Sequence, residues 1–244
     1  MGGFLRLVGE WKRAHCARPL RNLMKPILHI DTSGDEGLYF LSEHGVPLPG
    51  AVRTGKDHAA LGAPAILELL AQHGVGATDL AAIAVCNGPG SYTGLRVGLA
   101  TAKGIAYACG ASLILHNRLT LLLDSLPEGN IAGGTQAVAL KARTGEWFSE
   151  GRGALGWPAA HYDEAALMKL LQAALPGLRL AADDAPEGGW PVDVEAVPAI
   201  STEAWSMRAS ADELAGAFAD VANAEPFYLK AAFAVKPKPG VKGG

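Results

Sequence analysis

Cysteine is scarce in this 244-residue chain: Cys16, Cys86 and Cys109 are an odd number at wide spacing. That excludes a disulfide framework and a cysteine-rich zinc site, and suits a reducing compartment. Charged residues make up only 18% and aromatics 7%. No stretch approaches the roughly 20 apolar residues that span a bilayer, so the expectation is a cytoplasmic protein without a membrane contact. No two of the seven histidines (15, 29, 44, 58, 73, 116, 161) stand three or four apart, the spacing that sets two metal ligands on one helix face. No Ser/His/Asp or Cys/His set can be assembled from the sequence. What is abundant is apolar surface, 49% of residues, with 31 glycines and 15 prolines and no collagen-like period. The composition describes a folded core with many turns, one large domain or two small ones.

The net charge of −3 is unevenly placed. Residues 1–30 carry six Lys/Arg against Glu10 alone, which leaves −8 on the rest. An acidic body does not grip nucleic acid by broad phosphate neutralisation, so any RNA contact calls for another subunit. Residues 1–23 read as a basic extension, either disordered or lying upstream of a natural start at Met24; Phe4–Val8 is too short and too charged for a signal-peptide core. Position 6 is Arg where a myristoylation signal needs Ser or Thr.

From Lys25 the pattern alternates. Ile27–Ile30 is a short apolar strand ending in the turn Asp31-Thr32-Ser33-Gly34. Residues 37–41 and 51–53 are further strand candidates. Leu61, Ala65, Ile66, Leu69 and Leu70 have helical spacing, stopped by Gly74. Residues 79–86 read as a buried strand, followed by the loop Asn87-Gly88-Pro89-Gly90-Ser91-Tyr92-Thr93-Gly94, a long helix ending near Gly110, and a strand over 112–115. In the second half a hairpin turns at Arg143-Thr144-Gly145, a helix covers 163–174, and 182–191 is a loop in which Asp183 and Asp184 are solvated. Ser210 with Glu213 three residues on predicts a helix over 210–222 whose apolar face is Leu214, Ala217, Phe218 and Val221. The organisation is two α/β lobes, 24–118 and 119–232, and a disordered tail at 233–244. No internal repeat is visible as sequence identity.

The loop at 87–94 lies between a strand and a helix. Its amides can form an anion-binding nest at a helix N-terminus, with Gly88, Gly90 and Ser91 approaching a phosphate and Asp31 and Thr32 facing it; equally, it is a tight strand-to-helix turn. It matches no standard motif. The third glycine is one residue late for a dinucleotide fingerprint. Leu95-Arg96 stands where a P-loop has Lys-Ser/Thr. Pro89 and Thr93 replace the glycines of a nucleophile elbow. Ser91 and Thr93 suit helix caps. Within the helix, Gly94, Gly98 and Ala102 recur every four residues. Each internal glycine costs about 1 kcal/mol against alanine. This smooth face either packs the helix on its own sheet or meets a partner helix.

The run Ile27–Ser33, His58 opening a helix, and the long block 88–107 (Gly-Pro-Gly-Ser-Tyr-Thr-Gly-Leu-Arg-Val-Gly-Leu-Ala-Thr-Ala-Lys-Gly-Ile-Ala-Tyr) together resemble the TsaB (YeaZ) family. Ala142-Arg143-Thr144-Gly145-Glu146 and Glu225-Pro226-Phe227-Tyr228-Leu229-Lys230 are similar to two further family segments, whereas 150–200 match poorly. The resemblance implies an actin-like, sugar-kinase-like (ASKHA, RNase H-like) two-lobe α/β fold. It implies a non-catalytic subunit that stabilises a larger homologous TsaD-like subunit. With a TsaE-like ATPase, that complex transfers threonylcarbamoyl to N6 of adenosine 37 in tRNAs reading ANN codons. It implies a homodimer when the chain is alone, tRNA contact only through the complex, no intrinsic metal or cofactor, and ATP or ADP at most at the partner interface. The partner face it implies comprises Thr93, Gly94, Val97, Gly98, Thr101, Ala102 and Ile105, so that Gly98→Leu weakens pairing and leaves the fold intact. Lys141 stands where relatives carry Asp. The alternative from another class is an active ATPase or phosphotransferase of the same superfold built on Asp31 and the glycine loop; a metallopeptidase would need the missing histidine pair.

Overall fold

The computed structural model describes residues 25–55, 57–127 and 134–228. The basic extension, the tail, and Leu229 and Lys230 of the closing segment lie outside them. Two sheets organise the chain. The first takes β1 (Ile27–Asp31), β2 (Gly37–Glu43), β3 (Val46–Pro47), β4 (Val52–Thr54), β5 (Ala82–Gly88) and β6 (Ser112–Asn117), in the order β3-β2-β1-β5-β6 with β4 on β2. The second takes β7 (Thr135–Arg143), β8 (Glu146–Gly153), β9 (Trp157–Asp163), β10 (Leu178–Ala182) and β11 (Val194–Ala196), in the order β11-β10-β7-β8-β9. Each sheet has the same plan. A first strand (β1 or β7) pairs antiparallel with its hairpin neighbour and parallel with a strand that arrives through a helical crossover. The repeat invisible as identity is therefore present as topology.

Among the described residues, five α-helices complete the layers: α1 (His58–Gln72), α2 (Tyr92–Cys109), α3 (Arg118–Asp124), α4 (Glu164–Ala173) and α5 (Thr202–Ala215). Helices α1 and α2 cover the outer face of the first sheet through Leu69, Leu70, Leu99 and Ala106 against Leu28, Ile30, Ile83 and Val85. Helix α4 covers the outer face of the second through Leu167 and Leu171 against Ala137, Trp147 and Leu180. Between the inner faces, α3 and α5 fill a shared core of Phe40, Ala84, Ile114, Leu122, Val138, Leu140 and Trp205. Both faces of β1 and β5 are covered, which is why these strands read as mostly apolar runs, with buried His29 inside β1, rather than as alternating ones.

The second half departs from the expectation in several places. The last helix runs from Thr202 to Ala215, with Ser201 as its N-cap accepting the Ala204 amide and Gly216 ending it at φ 68°. Ser210 lies inside it. The predicted apolar face is split by that stop: Leu214 is 74% and Phe218 47% exposed, and the buried residues are Trp205, Ser206 and Ala209. Helix α5 also packs on β2, β3 and β6, so residues 202–215 join the first sheet although they follow the second in the chain. Strands β9 and β10 and helix α3 were not foreseen. Asp183 and Asp184 are not simply solvated. The Lys141 amide donates to Asp183 Oδ1 at 2.7 Å and Lys141 Nζ to Asp184 Oδ2 at 2.5 Å. Burial pushes the Asp183 carboxyl up, against the Lys141 amide bond.

Candidate functional site

The expected phosphate cradle is the junction of β1, the glycine loop and the start of α2. Helix α2 begins because Ser91 caps it, its hydroxyl accepting the Gly94 amide at 3.2 Å, and it ends at Gly110, whose φ of 73° favours glycine. Thr93, the other proposed cap, is the second helical residue and is exposed. Asp31 is buried, and its Oδ1 accepts the Ser33 amide at 2.8 Å. Thr32 donates its hydroxyl to the Gly94 carbonyl at 2.8 Å. The Ser91 amide donates to the Ser33 carbonyl, also at 2.8 Å. A side chain at Gly90 would run into that same carbonyl. At Gly88, with φ 120°, a side chain would meet the Phe227 carbonyl at 2.9 Å. The five residues Asp31, Thr32, Gly88, Gly90 and Ser91 are thus brought together, with Asp31 Oδ1, the Thr32 hydroxyl and the Ser91 amide bonded within the junction. The loop packs against Thr32-Ser33, and its Ser91 and Gly94 also border a cleft with Gly34.

The expected partner face divides in two. Gly94, Gly98 and Ala102 are buried. A Cβ on Gly94 would overlap the Thr32 carbonyl oxygen, and one on Gly98 would overlap Thr32 Oγ1 with Ile30 Cγ2 behind it at 3.7 Å. These small residues let α2 lie close on β1 and are not available to another chain. That corrects the expectation for Gly98→Leu, which strikes the chain's own first strand. Thr93 is exposed, and Val97, Thr101 and Ile105 are partly exposed; Ile105 leans on the outer core of the first sheet.

The outward face holds a second small-residue row that the sequence reading passed over. Ala100, Gly104 and Ala108 recur at the same spacing of four and are all exposed. Among the described residues, no atom outside the helix's own backbone lies within 4 Å of a Cβ built on Gly104. Its signal in the sequence was the same period, displaced to the other side of the helix. Beside it Tyr107 is 88% exposed. Helix α1 is capped by Asp57, which accepts the Ala60 amide, and presents Ala60, Ala63, Pro64 and Ala71 outward, with Leu67 at 68% and Leu61 at 42% exposure. Leu61, expected on the buried face, therefore belongs to this outer surface. The two faces meet where Asp57 and Ala59 border Thr93 and Val97 around a cleft of about 230 Å³.

A strap formed by 217–228 crosses the flank of α2. Lys103 Nζ donates to the carbonyls of Ala222 and Ala224, both at 3.0 Å. Phe227 donates its amide to the Asn87 carbonyl at 2.7 Å. Arg96 Nε donates to the Tyr228 hydroxyl at 2.9 Å while its guanidinium lies over the Tyr92 ring. Among the described residues, no three His, Cys, Asp or Glu side chains gather so as to hold a metal ion, and no helix is long and apolar enough to cross a membrane.

Comparison with known proteins agrees with this architecture. The solved structure titled YeaZ from Pseudomonas aeruginosa covers 84% of this chain and all of its own, at a TM-score of 0.66 and 20% identity. A second, described as an uncharacterized protein with similarity to peptidase YEAZ from Pseudomonas aeruginosa, reaches 0.70 at 22% identity, over 85% of this chain and all of its own. The fold is accordingly the two-sheet α/β fold that these two solved structures share. The profile of the family described as "TsaD: tRNA N6-adenosine threonylcarbamoyltransferase" matches residues 51–143. The tRNA threonylcarbamoyladenosine biosynthesis protein TsaB of Escherichia coli K12 is 31% identical over 123 residues, 50% of this chain and 52% of its own length. The Bacillus subtilis 168 protein of the same name is 39% identical over 83 residues, 34% of this chain and 36% of its own. A tRNA N6-adenosine threonylcarbamoyltransferase of Sorangium cellulosum is 36% identical over 105 residues, 36% of this chain and 30% of its own. Over these stretches the chain is similar to TsaB (YeaZ) proteins and to the related transferase. It spans about half the length, or less, of these curated relatives.

Proposed function

We propose that this chain is a subunit of the machinery that makes threonylcarbamoyladenosine in tRNA, and that it pairs with a larger TsaD-like subunit through the outer faces of α1 and α2 without chemistry of its own. The observation that carries the reading is Gly104. An exposed glycine in a helix interior costs about 1 kcal/mol against alanine, and nothing among the described residues requires a glycine there. The close approach of another helix gives it a purpose. Its neighbours Ala100 and Ala108, with Leu67 and Leu61 on α1, extend the contact into an apolar face. The names of the matched relatives supply the pathway and the class of partner.

The same face serves a second copy of the chain when the larger subunit is absent, since a surface shaped for a homologous lobe fits its own. A TsaE-like ATPase and tRNA meet this chain within the complex, in keeping with its acidic body. The ATPase or phosphotransferase reading draws little support from the glycine loop, in which the Ser91 and Gly94 amides donate within the chain.

The test is the modified nucleoside itself. Cells depleted of the chain are expected to lose threonylcarbamoyladenosine from digested tRNA, measured by liquid chromatography and mass spectrometry. The wild-type gene restores it and Gly104→Leu does not. An unchanged level in depleted cells contradicts the proposal.

A further inference from the structure

A buried polar chain in the core between the sheets has no part in the partner face. His29 and His116 are 0% and 4% exposed, and Trp205 is fully buried between them. The Trp205 indole N–H donates to His116 Nδ1 at 2.9 Å. An indole nitrogen only donates, so His116 must be the neutral tautomer with its proton on Nε2. That proton goes to Asp212 Oδ2, at 2.9 Å. His29 stacks on Phe40 with 4.1 Å between ring centroids, meets the edge of Trp205, and shares a 2.8 Å hydrogen bond with Ser42. Trp205 and Asp212 both sit on α5, and His116 on β6, so the chain of bonds ties α5 to the first sheet. Asp212 also borders a cavity of about 650 Å³ lined by Asp124, Arg152, Met207 and Arg208, so this end of the chain of bonds lies near the surface.

We propose that Trp205–His116–Asp212 is an acid-released latch: it holds α5 and the first residues of the strap, 217–221, on the first sheet, and frees them when His116 takes a second proton. That proton can enter only at Nδ1, where it faces the Trp205 N–H. Two donors then meet in a dry site, and the indole loses its acceptor. The charged groups around His116 divide. Asp212 of α5 and Asp124 of α3 favour the imidazolium, Arg208 of α5 opposes it, and His29 of β1 adds no positive charge while neutral. Burial outweighs Asp212 and keeps His116 below its ordinary value. The strap follows α5 directly: the chain leaves the helix at Gly216, and the Ala219 amide bonds the Leu113 carbonyl of β6 at 2.8 Å, three residues before His116 on the same strand. The latch stands independently of what binds α2.

Opening is linked to proton uptake. With α5 lifted, His116 returns to about 6.5. Between that pH and its lower closed-state value, the open fraction rises up to about tenfold for each pH unit. Hydrogen–deuterium exchange of the full chain, corrected for intrinsic rate, tests this between pH 7.5 and 5.5. Peptides over 202–221 are expected to lose protection at least at that slope while 82–109 keep theirs, and His116→Gln, neutral throughout, is expected to reduce the acid response to the part that His29 supplies. Because that variant can fail to fold, ¹⁵N-histidine resonances of the wild type give a second reading: His116 with its proton on Nε2 at pH 7.5, protonating at the pH where 202–221 opens. Unchanged protection down to pH 5.5, or protonation of His116 with α5 still protected, overturns the proposal.

Discussion

An alanine at Gly94 and an alanine at Gly104 add the same methyl group to the same helix and are expected to have opposite effects. At Gly94 the methyl meets the Thr32 carbonyl oxygen at overlap distance, with the carbonyl carbon at 3.2 Å and Ser91 Cβ at 3.3 Å. Backbone cannot rotate away, so the end of β1 and the start of α2 must separate. That weakens the Thr32 hydroxyl bond to the Gly94 carbonyl and the Ser91 amide bond to Ser33. Overpacking of this kind costs about 3 kcal/mol, the upper part of the usual range. The gain in helix propensity returns about 1 kcal/mol. The net loss of about 2 kcal/mol corresponds to a fall in Tm of about 4–8 °C for a chain of this size. At Gly104 the methyl meets nothing, so only the propensity gain of about 1 kcal/mol remains, a rise of about 2–4 °C. Differential scanning calorimetry of both variants decides it. A Gly94→Ala protein as stable as wild type, or a Gly104→Ala protein clearly less stable, refutes the packing argument.

Acid is expected to destabilise the whole protein. His29 and His116 are held below their ordinary values, each chiefly by burial. The unfolded chain therefore binds more protons, and stability is complete above about pH 6.5 and declines below it by up to about 1.4 kcal/mol per pH unit for each histidine; Tm measured from pH 7.5 to 5 shows whether it does. Asp124→Asn removes the carboxylate that accepts from Arg152 at 2.6 Å and from Arg208 at 2.5 Å. Burial raises that carboxyl, but the two arginines outweigh it and hold it low. Asp124 is 14% exposed and the arginines 44% and 32%, so urea denaturation at pH 7 should show a loss of about 1–2 kcal/mol, between the surface and buried limits. The loss should shrink in acid, as the wild-type carboxyl also becomes neutral. Leu67→Glu touches an exposed apolar side chain and should leave Tm within about 2 °C while reducing pairing, read by light scattering of the mixed subunits.

Local signals carried the first lobe. The apolar run before Asp31, the loop 87–94 and the stop at Gly110 define β1, the strand-to-helix turn and α2, because caps and glycines act within a few residues. The hairpin at Gly145 was legible for the same reason: its φ is 70°. The last helix was misplaced because Ser210 and Glu213 imitate a cap, whereas the true one at Ser201 lies nine residues earlier and the buried face is set by Trp205 meeting His116 across the fold. The proposed partner face was half legible. A period of four in small residues marks two sides of α2, and sequence alone does not say which side faces β1. Only the contact between Gly94 and Thr32 assigns the first row to packing and leaves Gly104 on the outside. Lys141 had no reading from sequence; the structure pairs it with Asp184 across the ends of β7 and β10.

The measurement closest to the central claim is isothermal titration of this chain with a purified TsaD-like subunit, wild type against Gly104→Leu. The account predicts that wild type binds and that Gly104→Leu, folded and with Tm no lower, binds at least about tenfold more weakly, a loss of about 1.4 kcal/mol. Equal affinity of the two proteins, or no binding by wild type, contradicts it.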